Sequence, residues 1–136
     1  MTATVGPSFR AGSSFSRVMG AGVGMAMLAA LVSCSEPMDE RIAIGDPHAG
    51  EVVVTRQACG YCHTIPGIPN SNGQVGPTLG NFAARRLIAG LLPNTPPELV
   101  RWLRTPQSVL KDNAMPNMGL TEQQARDVAA YLYTLK

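Results

Sequence analysis

The stretch Cys59-Gly60-Tyr61-Cys62-His63 decides how the rest of this 136-residue chain is interpreted. It sets two thiols three positions apart and places an imidazole directly after the second one. Thiols at this spacing lie on one turn of chain, so both can bond to the same edge of a flat ligand. The imidazole that follows can coordinate a metal at the centre of that ligand. The pattern therefore predicts a site that holds one group through two sulfurs and one nitrogen.

In an exported chain, this pattern is the attachment signature of c-type haem. Cys59 and Cys62 would bond to the two vinyl groups of the porphyrin, and His63 would coordinate the iron from the proximal side. Two other uses compete. A redox-active disulfide would favour a βαβ pattern, which the sequence does not show. A zinc site would require a second ligand pair, and the only other histidine is His48. We therefore expect one covalently bound haem c.

Residues 1–33 have the pattern of a secretory signal that is removed. Residues 1–17 contain Arg10 and Arg17 but no acid, and residues 18–32 form an uncharged apolar run. A membrane-spanning anchor is the alternative, but the run of 15 residues is shorter than the ~18–20 that a bilayer requires. The chain is therefore expected to be exported.

The segment that follows is expected to anchor the chain to a membrane. The run Leu31-Val32-Ser33-Cys34 resembles the lipobox of bacterial lipoproteins, in which the cysteine takes a diacylglycerol group and becomes the new N-terminus. A free thiol at Cys34 is the alternative. Residues 34–45 are charged and end in glycine, which is typical of a tether. This predicts a lipid-anchored protein on the periplasmic face of a bacterial membrane.

Without the signal, 103 residues remain, enough for one small domain over 46–136. Their nine basic and nine acidic residues cancel, which argues against a nucleic-acid partner. The apolar and charged fractions of the chain, 45% and 15%, are typical of a globular protein. Only five aromatic residues lie beyond the signal, so the core is thin and a large apolar cofactor would contribute much of it.

Residues 46–136 resemble class I cytochromes c, and the motif Gly76-Pro77-Thr78-Leu79 carries part of this resemblance. Such cytochromes have Gly-Pro-x-Leu after the haem motif. The resemblance implies that the Pro77 carbonyl accepts a hydrogen bond from Nδ1–H of His63. That bond would orient the ring and make Nε2 a better ligand.

The distal iron ligand is also implied by the resemblance. The family places its axial methionine in a Met-Pro pair shortly before the last helix, where this chain has Met115-Pro116. Met118 is the second choice, and a core methionine is the alternative for either residue. His48 is an outside candidate that lies near the first helix, where an exposed or hydrogen-bonded role is commoner.

Two further side chains are candidates for contact with the haem propionates. Trp102 occupies a position where related cytochromes have a tryptophan that donates toward a propionate, and a plain core role is equally open. Arg85 and Arg86 form a basic pair of which one could reach a propionate, although a solvated face is the commoner outcome.

The expected fold is all-α, with four or five helices around the haem and crossing N- and C-terminal helices as the family implies. Asp46-Pro47 would open the first helix, and residues 64–78 would form a loop. A short helix is expected over 81–91, and capping boxes at Thr95 and Thr121 would start two more, the last running from 122 to about 135. No strand pattern is visible.

The resemblance implies electron transfer rather than catalysis. His/Met ligation would fill both axial positions of the iron. The runs 92–96 and 125–135 resemble short membrane-tethered bacterial cytochromes c, whose partners include terminal oxidases, quinol-cytochrome c reductases and periplasmic dehydrogenases. The alternative is a haem-based ligand sensor or peroxidase-like protein, which would require a labile sixth ligand.

Overall fold

The structure is a computed structural model that describes residues 39–136. The predicted signal over 1–33, the lipidation candidate Cys34 and the first part of the predicted tether lie outside the described residues. The described part contains four α-helices, two short 3₁₀ helices and one small hairpin. The α-helices are α1 (Pro47–Arg56), α2 (Pro96–Arg104), α3 (Pro106–Val109) and α4 (Glu122–Thr134). The 3₁₀ helices are Cys59–Tyr61 and Phe82–Ala84, and the strands are β1 (Leu87–Ile88) and β2 (Leu92–Pro93).

The pair formed by α1 and α4 is the frame of the domain. The Asp46 side chain caps α1 by accepting from the backbone of His48, 2.8 Å away, and Pro47 fixes the first helical position. The Asp46 N–H in turn donates to the buried Asp127 carboxylate on α4, at 2.9 Å. A Cβ on Gly50 would collide with the Asp127 backbone, so only glycine permits this close helix contact.

The last helix begins as its sequence predicts. Thr121 accepts from the N–H of Gln124 at 3.2 Å, and the Gln124 side chain accepts from the Thr121 N–H at 3.0 Å. The second capping box, predicted at Thr95, is wrong, because its side chain makes no cap hydrogen bond. Two prolines follow Thr95 and remove the amide donors of the first two helical positions. Their fixed φ still starts α2.

The predicted helix over 81–91 is also wrong, and so is the expectation that strands are absent. The structure has the 3₁₀ turn Phe82–Ala84 followed by an antiparallel hairpin that pairs Ile88 with Leu92. Ala89 and Gly90 both have positive φ, 51° and 71°, so they form a tight turn that a helix cannot contain. The Asn94 side chain donates to the carbonyls of Phe82 and Arg85, both at 3.0 Å, and stabilises the turn from outside.

The core is centred on α4. Its fully buried residues pack against α1, α2 and the Phe82 turn, and Tyr133 is the largest of them. The Tyr133 ring lies 6.0 Å from that of Phe82, and its hydroxyl donates to Asn94 at 3.1 Å. Burial raises the pKa of Tyr133 to about 12, although the Arg41 charge opposes this rise. The predicted loop over 64–78 is a loop, with one β-bridge between Thr64 and Asn72.

Residues 39–45 lie against the domain, although the sequence-based division assigns them to the tether. The Arg41 guanidinium binds the Asp39 carboxylate at 2.7 Å, donates to the Ala83 carbonyl at 3.0 Å and lies 4.7 Å from the centre of the Tyr133 ring. Ile42 packs against the core. Within residues 39–136, none of the helices combines the length and the hydropathy that crossing a bilayer requires.

Candidate functional site

A cavity of about 800 Å³ opens beside α4, and its walls come from α1, α2, α4, β1 and the loops between them. Its volume lies within the range of ~300–1,000 Å³ that is usual for cofactor and ligand sites. The walls are largely apolar and include the buried residues Val54 from α1, Leu99 from α2 and Leu132 from α4. All the haem-contact candidates except His48 and Arg86 line it, namely Cys59, Cys62, His63, Pro77, Arg85, Trp102, Met115 and Met118.

The two cysteines reach the cavity through a sharp change of chain direction after α1. Ala58 has a left-handed backbone, with φ 56°, and the 3₁₀ turn that starts at Cys59 follows directly. The His63 N–H donates to the Cys59 carbonyl at 3.0 Å, which holds the five-residue motif as one compact turn. Both sulfurs are free thiols, so the disulfide alternative is not realised in the structure. Burial raises the pKa of the Cys59 thiol.

The His63 ring is fixed by the Gly-Pro motif. Its Nδ1 lies 2.7 Å from the Pro77 carbonyl oxygen. Because a carbonyl can only accept, Nδ1 carries the proton and Nε2 presents its lone pair. Gly76 backs the ring, since a Cβ there would lie 2.6 Å from Nδ1 of His63. The Gly76 N–H donates to the Cys62 carbonyl at 2.8 Å and links this loop to the cysteine motif.

The loop before α4 brings both candidate methionines to the cavity, where each is partly buried against the core. The backbone of Met115 is held on both sides. Its N–H donates to the Asn113 side chain at 2.9 Å, and the Gln107 amide donates to its carbonyl. None of the described residues directs a side-chain hydrogen bond to the backbone of Met118. The structure therefore fixes the chain more firmly at Met115.

The remaining candidates for contact with the haem divide into two that line the cavity and two that do not. Trp102 is partly buried, packs against the core and lines the cavity. Arg85 also lines the cavity, but its guanidinium donates to the carbonyls of Thr78 and Gly80 and lies 5.4 Å from the centre of the Phe82 ring. Arg86 and His48 are exposed and are absent from the cavity walls.

Sequence reasoning missed the roles of three residues that hold the site together. Gly76 appeared only as part of a loop motif, although its missing side chain is what accommodates the His63 ring. Gln107 gave no signal, because its contact with Met115 spans eight residues of irregular chain. Asn113 did give a sequence signal. An asparagine side chain commonly accepts a hydrogen bond from the backbone N–H two residues later in the chain, as Asn113 does from Met115.

The comparison with protein families decides between the possible uses of this cavity. The family model described as Cytochrome c matches residues 48–136, nearly the whole described domain. The chain belongs to the cytochrome c family. As a cytochrome c it binds haem c covalently, and the expected cofactor is confirmed.

The residues of this cytochrome fit that cofactor. Its cavity is apolar, as the porphyrin faces require, and it presents two free thiols and an imidazole nitrogen on one side. Addition of each thiol across a vinyl double bond needs no oxidant and releases no leaving group. Among residues 39–136, there is no cluster of three or more His, Cys, Asp or Glu that would form a separate metal site.

Two curated relatives show where this kind of domain occurs. Over 88 residues the cytochrome is 35% identical to cytochrome c oxidase subunit 2 of Alkalihalophilus pseudofirmus. The aligned region covers 64% of this chain and 25% of that protein. Over 99 residues it is 34% identical to the same subunit of Bacillus sp. strain PS3. This second aligned region covers 68% of this chain and 28% of that protein. The chain thus matches about a quarter of the length of these relatives.

Proposed function

We propose that this cytochrome is a membrane-tethered, monohaem electron carrier with His63 and Met115 as iron ligands. The single observation that carries the proposal is the convergence of Cys59, Cys62, His63 and Met115 on one apolar cavity. A bound haem supplies an iron centre that cycles between Fe(III) and Fe(II) by one electron. Cys59 and Cys62 would hold that group, and His63 and Met115 would ligate its iron.

The two axial ligands differ in how firmly the chain fixes them. The hydrogen bond from Nδ1 of His63 to the Pro77 carbonyl orients the ring and leaves Nε2 as the nitrogen that would bind iron. The Met115 backbone is held by Asn113 and Gln107, which supports Met115 over Met118. Two occupied axial positions leave no site for an external ligand or substrate, which favours electron transfer over sensing or peroxidase chemistry.

Trp102 and Arg85 are proposed to face the propionate side of the cofactor. Both line the cavity, and the Trp102 indole N–H and the Arg85 guanidinium are hydrogen-bond donors that suit a carboxylate. The Arg85 charge has no carboxylate partner among the salt bridges of residues 39–136. An anionic group at this position would therefore compensate a charge that the described protein leaves unbalanced.

The proposed partner is a respiratory complex, with a terminal oxidase as the first choice and a quinol-cytochrome c reductase or a periplasmic dehydrogenase as others. The oxidase is supported by the similarity to two cytochrome c oxidase subunits. Residues 1–33 are proposed to export the chain, and lipid on Cys34 is proposed to hold it on the periplasmic face of a bacterial membrane. The sequence pattern at residues 31–34 supports this location.

The proposal is tested by expressing the full chain with a haem-attachment system and purifying it from membranes. Mass spectrometry of the denatured protein should show one haem retained by the wild type and none by Cys59→Ser/Cys62→Ser. A redox titration should give one reversible one-electron couple. A protein that loses its haem on denaturation, or that shows no reversible couple, would contradict the proposal. Radiolabelled palmitate should label the wild type but not Cys34→Ser.

A further inference from the structure

The segment that carries Met115 has little hydrogen bonding of its own backbone. Residues 111–120, here called the methionine loop, lie between α3 and α4 and belong to no helix or strand of the structure. In the part of the chain that the structure describes, none of these ten residues makes a hydrogen bond between two backbone groups. The hydrogen bonds that hold this loop in place therefore come from side chains.

Most of these side-chain hydrogen bonds are local. Asn113 donates to the Leu110 carbonyl at 2.6 Å and accepts from the Met115 N–H at 2.9 Å. Asn117 accepts from the Gly119 N–H at 2.9 Å. Bonds that span two or three residues give a turn its shape, but they do not fix the turn to a distant part of the domain.

Gln107 makes the longest hydrogen-bonded connection to the methionine loop. Its side-chain amide donates to the Met115 carbonyl, eight residues further along the chain. Gln107 lies on α3, where the preceding Pro106 is among the most completely buried side chains of the described protein. The Leu110 N–H donates to the Pro106 carbonyl at 2.9 Å and closes this short helix. Gln107 thus reaches Met115 from an element that is fixed to the core.

Packing also holds the methionine loop, so the Gln107 hydrogen bond is not its only support. Met115 and Met118 are partly buried against the core, and Leu120 is buried within it. Removal of the Gln107 bond should therefore raise the population of an opened loop without unfolding the domain. The opened form would be a local rearrangement that ends where α4 begins.

We propose that Gln107 is a positioning residue for the distal iron ligand, because its bond to the Met115 carbonyl keeps the methionine loop closed. The inference rests on the proposed ligation by His63 and Met115. Gln107 is exposed and does not line the cavity, yet it limits the access of external ligands to the iron. A ligand that binds only the opened form has its apparent affinity reduced to the fraction of protein that is open.

The experiment titrates the oxidised holoprotein with imidazole and follows binding by absorption spectroscopy. Gln107→Met keeps the length of the side chain but removes the donor. We expect this variant to bind imidazole about three- to tenfold more tightly than the wild type, which corresponds to the loss of one hydrogen bond. Gln107→Lys keeps an N–H donor and should restore most of the difference. Ser108→Ala is the matched control and should bind as the wild type does, because its hydroxyl donates to Thr105 and not to the methionine loop.

Hydrogen exchange of the same proteins locates the effect without an added ligand. In Gln107→Met, the backbone amides of residues 114–119 should exchange faster than in the wild type, by about the factor found for imidazole. The amides of α4 should exchange at the wild-type rate, because the domain around the loop stays folded. A residue with only a general structural role would accelerate exchange in α4 as well.

Wild-type imidazole affinity in Gln107→Met would overturn the inference, and so would an equal gain in Ser108→Ala or in Gln107→Lys. Failure of the proposed ligation itself has a different signature. With a closed iron, the rate of imidazole binding to the wild type should level off at high imidazole, because binding waits for the loop to open. A rate that rises in proportion to imidazole, together with a carbon monoxide shift in the reduced wild type, would show an open iron and contradict both proposals.

Discussion

Replacing Gly76 by alanine should damage the site without replacing any proposed haem ligand, because the new Cβ would press on the ring of His63. A Cβ at this position would lie 2.6 Å from Nδ1 and 2.9 Å from Nε2 of His63, whereas ordinary contacts begin at 3.4 Å. Cε1 of the ring would lie closer still, so the ring would have to move by more than about 0.8 Å, which would strain or break its 2.7 Å hydrogen bond to Pro77. Overpacking of this kind costs about 1–3 kcal/mol, and loss of the hydrogen bond adds about 1 kcal/mol.

The matched control is Gly80→Ala in the same stretch of chain. Its Cβ would meet nothing nearer than Pro66 Cγ at 3.3 Å, so the neighbour needs to yield only slightly. We expect urea unfolding of the holoprotein to give a loss of about 2–4 kcal/mol for Gly76→Ala and under about 1 kcal/mol for Gly80→Ala. The absorption spectrum of Gly76→Ala should also change. Equal stability and unchanged spectra in both variants would refute the role assigned to Gly76.

Three further predictions concern the thiols, the end of α1 and the core. Cys59→Ser/Cys62→Ser should lose cooperative thermal unfolding by circular dichroism, because haem supplies apolar contact area that the core lacks; a native helical spectrum that melts cooperatively would contradict this. Ala58→Gly should raise the free energy of unfolding by up to about 1 kcal/mol in urea titrations, because φ at Ala58 is 56°; no gain would contradict the left-handed backbone. Ionisation of Tyr133 should make the free energy of unfolding fall as the pH rises from 10 to about 12, because the phenol ionises there in the unfolded chain while the buried phenol keeps its proton. The total fall is at most about 3 kcal/mol. Denaturation as a function of pH should show this decline in the wild type and lose it in Tyr133→Phe.

The site was more predictable from the sequence than the loops around it. Cys59, Cys62 and His63 are adjacent in the chain, so local geometry alone brings them together. The capping box at Thr121 is equally local, and the structure contains both of its hydrogen bonds. The meeting of His63 with Pro77 depended on resemblance, since no periodicity in the chain indicates a contact over fourteen residues.

The segment 81–91 failed because tertiary contacts override its helical composition. Asn81 and Ala89 both have positive φ, which is common for asparagine but is not indicated by alanine. Phe82 packs against Tyr133 on α4, and Asn94 binds two carbonyls that a helix would otherwise engage. These partners lie far along the chain, so a local pattern could not reveal them. At Thr95 the capping pattern was present, but Pro96 and Pro97 remove the amide donors of the first two helical positions and the Thr95 side chain makes no cap hydrogen bond.

The most direct test of the ligation uses the reduced holoprotein with and without carbon monoxide. Absorption spectra would be recorded for the wild type, Met115→Leu and Met118→Leu, because leucine keeps the volume of methionine but cannot coordinate iron. We predict that carbon monoxide leaves the spectra of the wild type and of Met118→Leu unchanged and shifts that of Met115→Leu. A shift in the wild type would show an open iron and contradict a closed electron carrier. A shift in Met118→Leu alone would transfer the distal ligand to Met118.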